Sequence, residues 1–163
     1  MKYFPKIALF ALVGGILAFG CQKEECDDKI PSLKFESFAI TDTGGVLTVS
    51  FKDCDGDIGL DEDDVDGVFA PDSLYYNNLF IDRYVLVNGE WVIDNGSANL
   101  YYRIPVLDDG STSSDVKEGD IEVYVAEAAY SQASADTFRF EIWIVDRALQ
   151  ESNHVHSAAY LKP

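Results

Sequence analysis

At 163 residues and a formal charge of −17, the chain has room for one main domain and a surface that repels phosphate. That excludes a nucleic-acid binder, which needs a basic footprint. Aromatic residues make up 13% of the chain, too many for a solvated acidic tail. A packed core is expected, with the acids on the surface and in loops.

The first twenty residues carry Lys2 and Lys6, no acid, and an apolar run from Ile7 to Phe19. A basic start, a short apolar middle and a small residue before a cut are the parts of a secretory signal. The run is about 13 residues, against roughly 20 needed to span a bilayer as a helix, so residues 1–20 read as a removed leader. Leu17-Ala18-Phe19-Gly20-Cys21 resembles the lipobox of bacterial lipoproteins, with the leucine one place earlier than usual. The resemblance implies that Cys21 receives lipid on its thiol and on its new amino group. Gln22-Lys23-Glu24-Glu25 resembles the signal that sends some Bacteroidetes lipoproteins to the outer face of the outer membrane. Read without that resemblance, it is a charged tether. Two or more acyl chains make such an attachment stable. Losing the leader removes two lysines and no acid, so the charge moves from −17 to −19. Residues 21–31 read as the lipidated cysteine and a linker ending at Pro31, and 32–163 as the domain.

From there the chain alternates apolar and polar residues, the period of a half-buried strand. Strands are predicted at Leu33–Ile40, over Leu47, Val49 and Phe51, at Asp82–Val87 and at Glu90–Ile93. More follow at Ala98–Val106, over Ile121, Val123 and Val125, over Phe138 to Ile144, and at His154–Leu161. Asn88-Gly89 between two of them marks a type I′ hairpin. The one helix candidate, Val125–Ala135, is short and lacks an apolar stripe. The expectation is all-β: an immunoglobulin-like β-sandwich of about seven or eight strands, with a closed barrel as the second choice. Residues 53–78 and 107–119 are long loops rich in Asp, Gly and Ser, which a sandwich gathers at its ends.

Asp53-Cys54-Asp55-Gly56-Asp57-Ile58-Gly59-Leu60-Asp61 is the chemical centre. Asp53, Asp55, Asp57 and Asp61 can turn toward one point while Gly56 and Gly59 allow a tight bend. Hard oxygen ligands in flexible geometry suit calcium, which takes six to eight oxygens at about 2.3–2.6 Å. The bland reading is a solvated acidic turn whose Ile58 and Leu60 tuck into the core. The run partly resembles an EF-hand loop, but Ile58 stands where that loop needs Gly and no helices flank it. The expectation is therefore an Asp-rich calcium loop on a β-scaffold. Asp146 is either a distant fifth ligand or the cap of the turn Ala148–Glu151. Glu62, Asp63, Asp64 and Asp66 are expected to be solvated. Cys26 and Cys54 are two free thiols or, in an oxidising compartment, a disulfide.

Phe51-Lys52-Asp53-Cys54-Asp55-Gly56-Asp57-Ile58-Gly59-Leu60 also resembles the DGDGDIGL signature of small uncharacterised Bacteroidetes lipoproteins. Asp146-Arg147-Ala148-Leu149-Gln150-Glu151-Ser152-Asn153 is similar to their DRALNKSN-like segment. The resemblance implies an immunoglobulin-like fold and brings no activity. Cys54 stands where that family commonly has Gly, which favours a local disulfide.

Other signals are weaker. His154 and His156 share a strand face and suit zinc or copper given a third ligand, or are partly exposed strand residues. Tyr75-Tyr76, Tyr101-Tyr102, Trp91 and Trp143 are sheet packing or a sugar-stacking surface. No Gly-x-Ser-x-Gly elbow and no phosphate-cradling glycine motif occurs, so no enzyme is expected. The reading is a lipid-anchored cell-envelope lipoprotein, surface-exposed on the outer membrane. It acts as a non-catalytic binding or structural module with bound calcium, touching the membrane through Cys21 and an unknown protein or glycan. A glycan-binding accessory of a nutrient-uptake system is the first alternative, and a hydrolase using the acidic loop the second.

Overall fold

The computed structural model describes residues 26, 28–95, 100–107 and 116–163. The leader, Cys21 and Gln22–Glu25 lie outside the described residues. The chain is all-β. Strands β1 (Ser32–Thr41), β2 (Gly44–Asp53) and β6 (Lys117–Ala126) form one antiparallel sheet in the order β1-β2-β6. In the second sheet β3 (Leu79–Val87) and β7 (Thr137–Ile144) pair centrally. Both β4 (Glu90–Ile93) and β5 (Leu100–Tyr102) pair with β3, while β8 (Val155–His156) and β9 (Tyr160–Leu161) pair with β7.

The alternation read from sequence is what packs the sheets together. Phe138, Phe140, Ile142 and Ile144 on β7 are all 0% exposed, and so are Leu47, Val49 and Val125 on the facing sheet. Each such side chain stabilises the fold by roughly 1.5–3 kcal/mol relative to exposure. Phe38 of β1 reaches across to Phe140, ring centroids 5.2 Å apart and edge to face. Asn88 and Gly89 both take positive φ, 53° and 85°, as the predicted hairpin requires.

Several boundaries differ from the sequence reading. Strand β3 starts at Leu79 rather than Asp82, and β6 starts at Lys117, inside the expected 107–119 loop. Three further differences have a visible cause. The described residues hold nine strands rather than seven or eight, because the expected His154–Leu161 strand is broken into β8 and β9. At the break Ser157 leaves the regular ladder, its hydroxyl accepting from the Phe140 N–H at 2.9 Å. Ser152 does the same for the Ile144 N–H at 3.0 Å. Of the predicted Ala98–Val106 strand, Ala98 and Asn99 lie outside the described residues, and among the rest only Leu100–Tyr102 (β5) is strand. Beyond it the Ile104 N–H turns to the Asn78 side chain at 2.6 Å, and Pro105 has no N–H to offer a ladder. The helix candidate shrinks to one turn, α1 (Ala128–Ser131), since Val125 and Ala126 belong to β6. Its Tyr130 is fully buried against Phe38 and Phe138.

A buried ion pair closes the sheet beside α1. Arg83, 2% exposed, donates to Asp94 through Nε at 3.0 Å and lies 2.7 Å from it through Nη2. Arg83 also donates to the Ala129 carbonyl, and Asp94 accepts from the Ser134 N–H at 3.0 Å. Removing one partner strands a buried charge. Asp94→Ala is expected to cost about 3–5 kcal/mol in urea unfolding, whereas an exposed control such as Asp42→Ala should change little.

Candidate metal centre

The centre forms where two inward-facing rows of side chains run out. On β2 the row Leu47, Val49, Phe51 continues in phase to Asp53, which is 0% exposed. On β7 the row Phe140, Ile142, Ile144 continues in phase to Asp146, which is 1% exposed. Each sheet thus ends its apolar row in a carboxylate, at the same end of the molecule.

After Asp53 the chain bends back. Asp53 Oδ2 accepts from the Ile58 N–H at 2.8 Å, and Ile58 and Leu60 insert into the interior. Gly59 takes φ 103°, and a Cβ there would sit 2.4 Å from the Pro105 carbonyl oxygen, so the loop needs glycine at this point. The Leu60 N–H then bonds the Ile104 carbonyl at 2.9 Å.

This bend brings Asp53, Asp55 and Asp57 together, with one oxygen of each within 4.8 Å of the others. Ligands 2.3–2.6 Å from a shared ion lie no farther apart than about 5.2 Å, so the spacing fits calcium. Oδ1 of all three is buried and without a hydrogen-bond partner, and so is Oδ2 of Asp146. Burial raises Asp53 to about 6, helped by Asp55 and Asp57 and opposed by the Ile58 N–H. Burial likewise raises Asp146 to about 6, opposed by the Gln150 N–H and reinforced by Asp57 and Asp55. Asp57 is raised by burial and by Asp55, against the pull of the Ala148 N–H, Arg147 and Lys29. Asp146 therefore shares the field of the loop aspartates. It caps the turn, Oδ1 accepting from the Gln150 N–H at 2.7 Å, which is the second of the two roles read for it; it is not among the three aspartates that gather.

Of the predicted ligands, Asp146 falls outside the gathered three and Asp61 is turned away from them altogether. Its side chain is 69% exposed and lies 3.7 Å from Arg147, outside the group of three. Leu60 beside it points inward, which turns Asp61 out. Asp64, expected to be solvated, instead receives Arg147 in a two-pronged pair at 3.0 and 2.6 Å. Arg103 binds the carbonyls of Tyr76, Asp61 and Asp64 at 2.6, 2.6 and 2.8 Å. These two arginines clamp the loop. Their partners lie far away in sequence, so no local pattern announced them.

Cys26 and Cys54 form a disulfide, Cα atoms 5.3 Å apart and 28 residues apart in sequence. It fixes the chain between two candidate ligands, and closing a loop of that length stabilises by about 3–4 kcal/mol in the chain-entropy picture.

His154 and His156 do not assemble a centre of their own. His154 lies 3.3 Å from Glu141 and 2.8 Å from Glu151, and His156 lies 3.8 Å from Glu141. Among the described residues only the three aspartates gather closely enough to share an ion. The aromatic candidates are similarly engaged. Trp143 is stacked between Phe80 at 5.2 Å and His154 at 4.6 Å, and Arg139 lies 4.5 Å over Trp91. No family model matches the chain, and no curated protein matches it significantly.

Asp53 and Asp146 hold their protons more tightly when folded than at their ordinary 3.8. Their contribution to stability is present in full below about pH 3.8 and is lost as the pH climbs through about 6. In EDTA the melting temperature should therefore fall between pH 5 and 7.5 by more in the wild type than in Asp146→Asn. The same substitution should raise the melting temperature at pH 7.5, because it removes one of the repelling charges.

Proposed function

We propose that this chain is a lipid-anchored lipoprotein of the cell envelope, exposed on the outer membrane, with an immunoglobulin-like β-sandwich. Calcium holds its Asp-rich end together, and it serves as a non-catalytic module that binds a protein or glycan or supports the envelope structurally. The observation that carries the metal reading is the set of four orphaned carboxylate oxygens on Asp53, Asp55, Asp57 and Asp146. A buried acceptor left unmatched costs about 1–3 kcal/mol, and more when charged. One divalent cation can take the oxygens of Asp53, Asp55 and Asp57, which lie within 4.8 Å of one another, and remove their mutual repulsion, and its charge also eases Asp146 nearby. The remaining positions in a shell of six to eight oxygens are left for water or backbone oxygens.

The same burial argues against catalysis. A glycosidase needs two carboxyl groups flanking a sugar bond, about 5–5.5 Å apart at least. Here three aspartates crowd within 4.8 Å, and Asp53 has no exposed surface. The two antiparallel sheets, packed through one apolar core, support the sandwich assignment. The leader, the lipobox-like Leu17–Cys21 and Gln22–Glu25 support the anchor and the surface address.

Calcium added to metal-free protein should raise the melting temperature. An ion at 100 times its Kd contributes about 2.7 kcal/mol, or about 10 °C for a domain of this size. Asp57→Asn should abolish most of that shift while keeping the fold by circular dichroism. A larger shift with magnesium would assign the site to the smaller ion, and no shift with millimolar calcium would sink the calcium reading.

A further inference from the structure

The disulfide and the sheet register together orient the molecule on the membrane. β1 starts beside the end of β2, with Ser32 opposite Lys52, so the chain enters the sandwich at the same end as Asp53. The disulfide then joins Cys26 to Cys54, between Asp53 and Asp55. Cys21 precedes Cys26 by five residues.

Covalent reach turns this into a constraint. Five residues extend at most about 17 Å, and eleven, from Cys21 to Ser32, about 38 Å. The ten residues of β2 set the distance between the two ends of the sandwich at about 33 Å. Adding the 5.3 Å across the disulfide, Cys54 can stand no more than about 22 Å from Cys21. A domain inverted on the membrane would hold Cys54 about 33 Å above the lipid, beyond that reach. Without the disulfide the tether spans about 38 Å and inversion is allowed.

We infer that the Cys26–Cys54 disulfide is a clasp that shortens the lipid tether, holds the metal-bearing end within about 22 Å of the anchor and bars the inverted orientation. This rests on the lipid anchor at Cys21 proposed above. The end facing outward is then the opposite one, made of the Thr41–Gly44 turn, the Asn88-Gly89 hairpin and α1. Those turns, rather than the aspartate-rich loop, are the surface a partner outside the cell meets first.

The test places a fluorophore on Asp63→Cys at the metal end or Asp42→Cys at the far end of the full lipidated chain. Both positions are exposed. The protein is bound to phosphatidylethanolamine and phosphatidylglycerol vesicles carrying a headgroup nitroxide quencher. Quenching should be strong at position 63 and weak at 42. Inserting about six Gly and Ser residues between Glu25 and Cys26 restores the long reach with the disulfide intact, and should erase most of the difference. The pair Cys26→Ser, Cys54→Ser should do the same if circular dichroism shows it folded. Equal quenching at both positions in the bound parent, or no effect of the insertion, overturns the inference. Protein that carries no acyl mass on Cys21 and stays off the vesicles overturns the anchor reading and the inference with it.

Discussion

Repulsion among buried carboxylates is the constraint that the loop end of this molecule answers to. At 4.8 Å and an effective dielectric near 20, two ionised carboxylates repel by about 3–4 kcal/mol. Three such pairs approach the whole stability of a domain, about 5–15 kcal/mol. The group therefore does not persist fully ionised and uncompensated. Either protons stay on, which is the direction burial imposes on Asp53, Asp57 and Asp146, or a cation enters. At neutral pH the second route leaves all the carboxylates charged, as metal ligands must be.

The surroundings hold the loop in place without filling its centre. Ile58 and Leu60 anchor it from below, the disulfide from the side, and Arg103 and Arg147 from outside. Arg147 lowers Asp57 but directs its own donors to Asp64, so it eases the repulsion without taking the ion's place. A loop already bent spares the ion most of the ordering cost that a flexible acidic segment would impose.

Much of this was legible in the sequence because strands and cores are encoded locally. Period-two alternation located β2, β6 and β7, and Asn88-Gly89 located the hairpin. The same alternation, carried one step past each strand, places Asp53 and Asp146 on the inward side. Asp61 was read as a ligand from its place in the run of closely spaced carboxylates, and the inward turn of Leu60 overrode that reading. Ser157 broke the last strand by offering its hydroxyl to a ladder, which hydrophobic period does not encode. Arg103 and Arg147 act across separations of tens of residues, where charge alone gives no partner.

The arginines also bear on what the outside of the molecule can bind. The chain has four of them. Arg83 is buried on Asp94, Arg103 and Arg147 are committed to the acidic loop, and Arg139 lies over Trp91 and Tyr84. Only Arg83 is buried, while the other three sit at the surface and offset acids there. Each Arg–Asp pair cancels one charge of each sign, so the net charge of −17 remains, and the surface favours cations or basic partner surfaces over anionic glycans and phosphates. Counter-ions are needed most where the carboxylates are gathered, at the Asp53–Asp57 end.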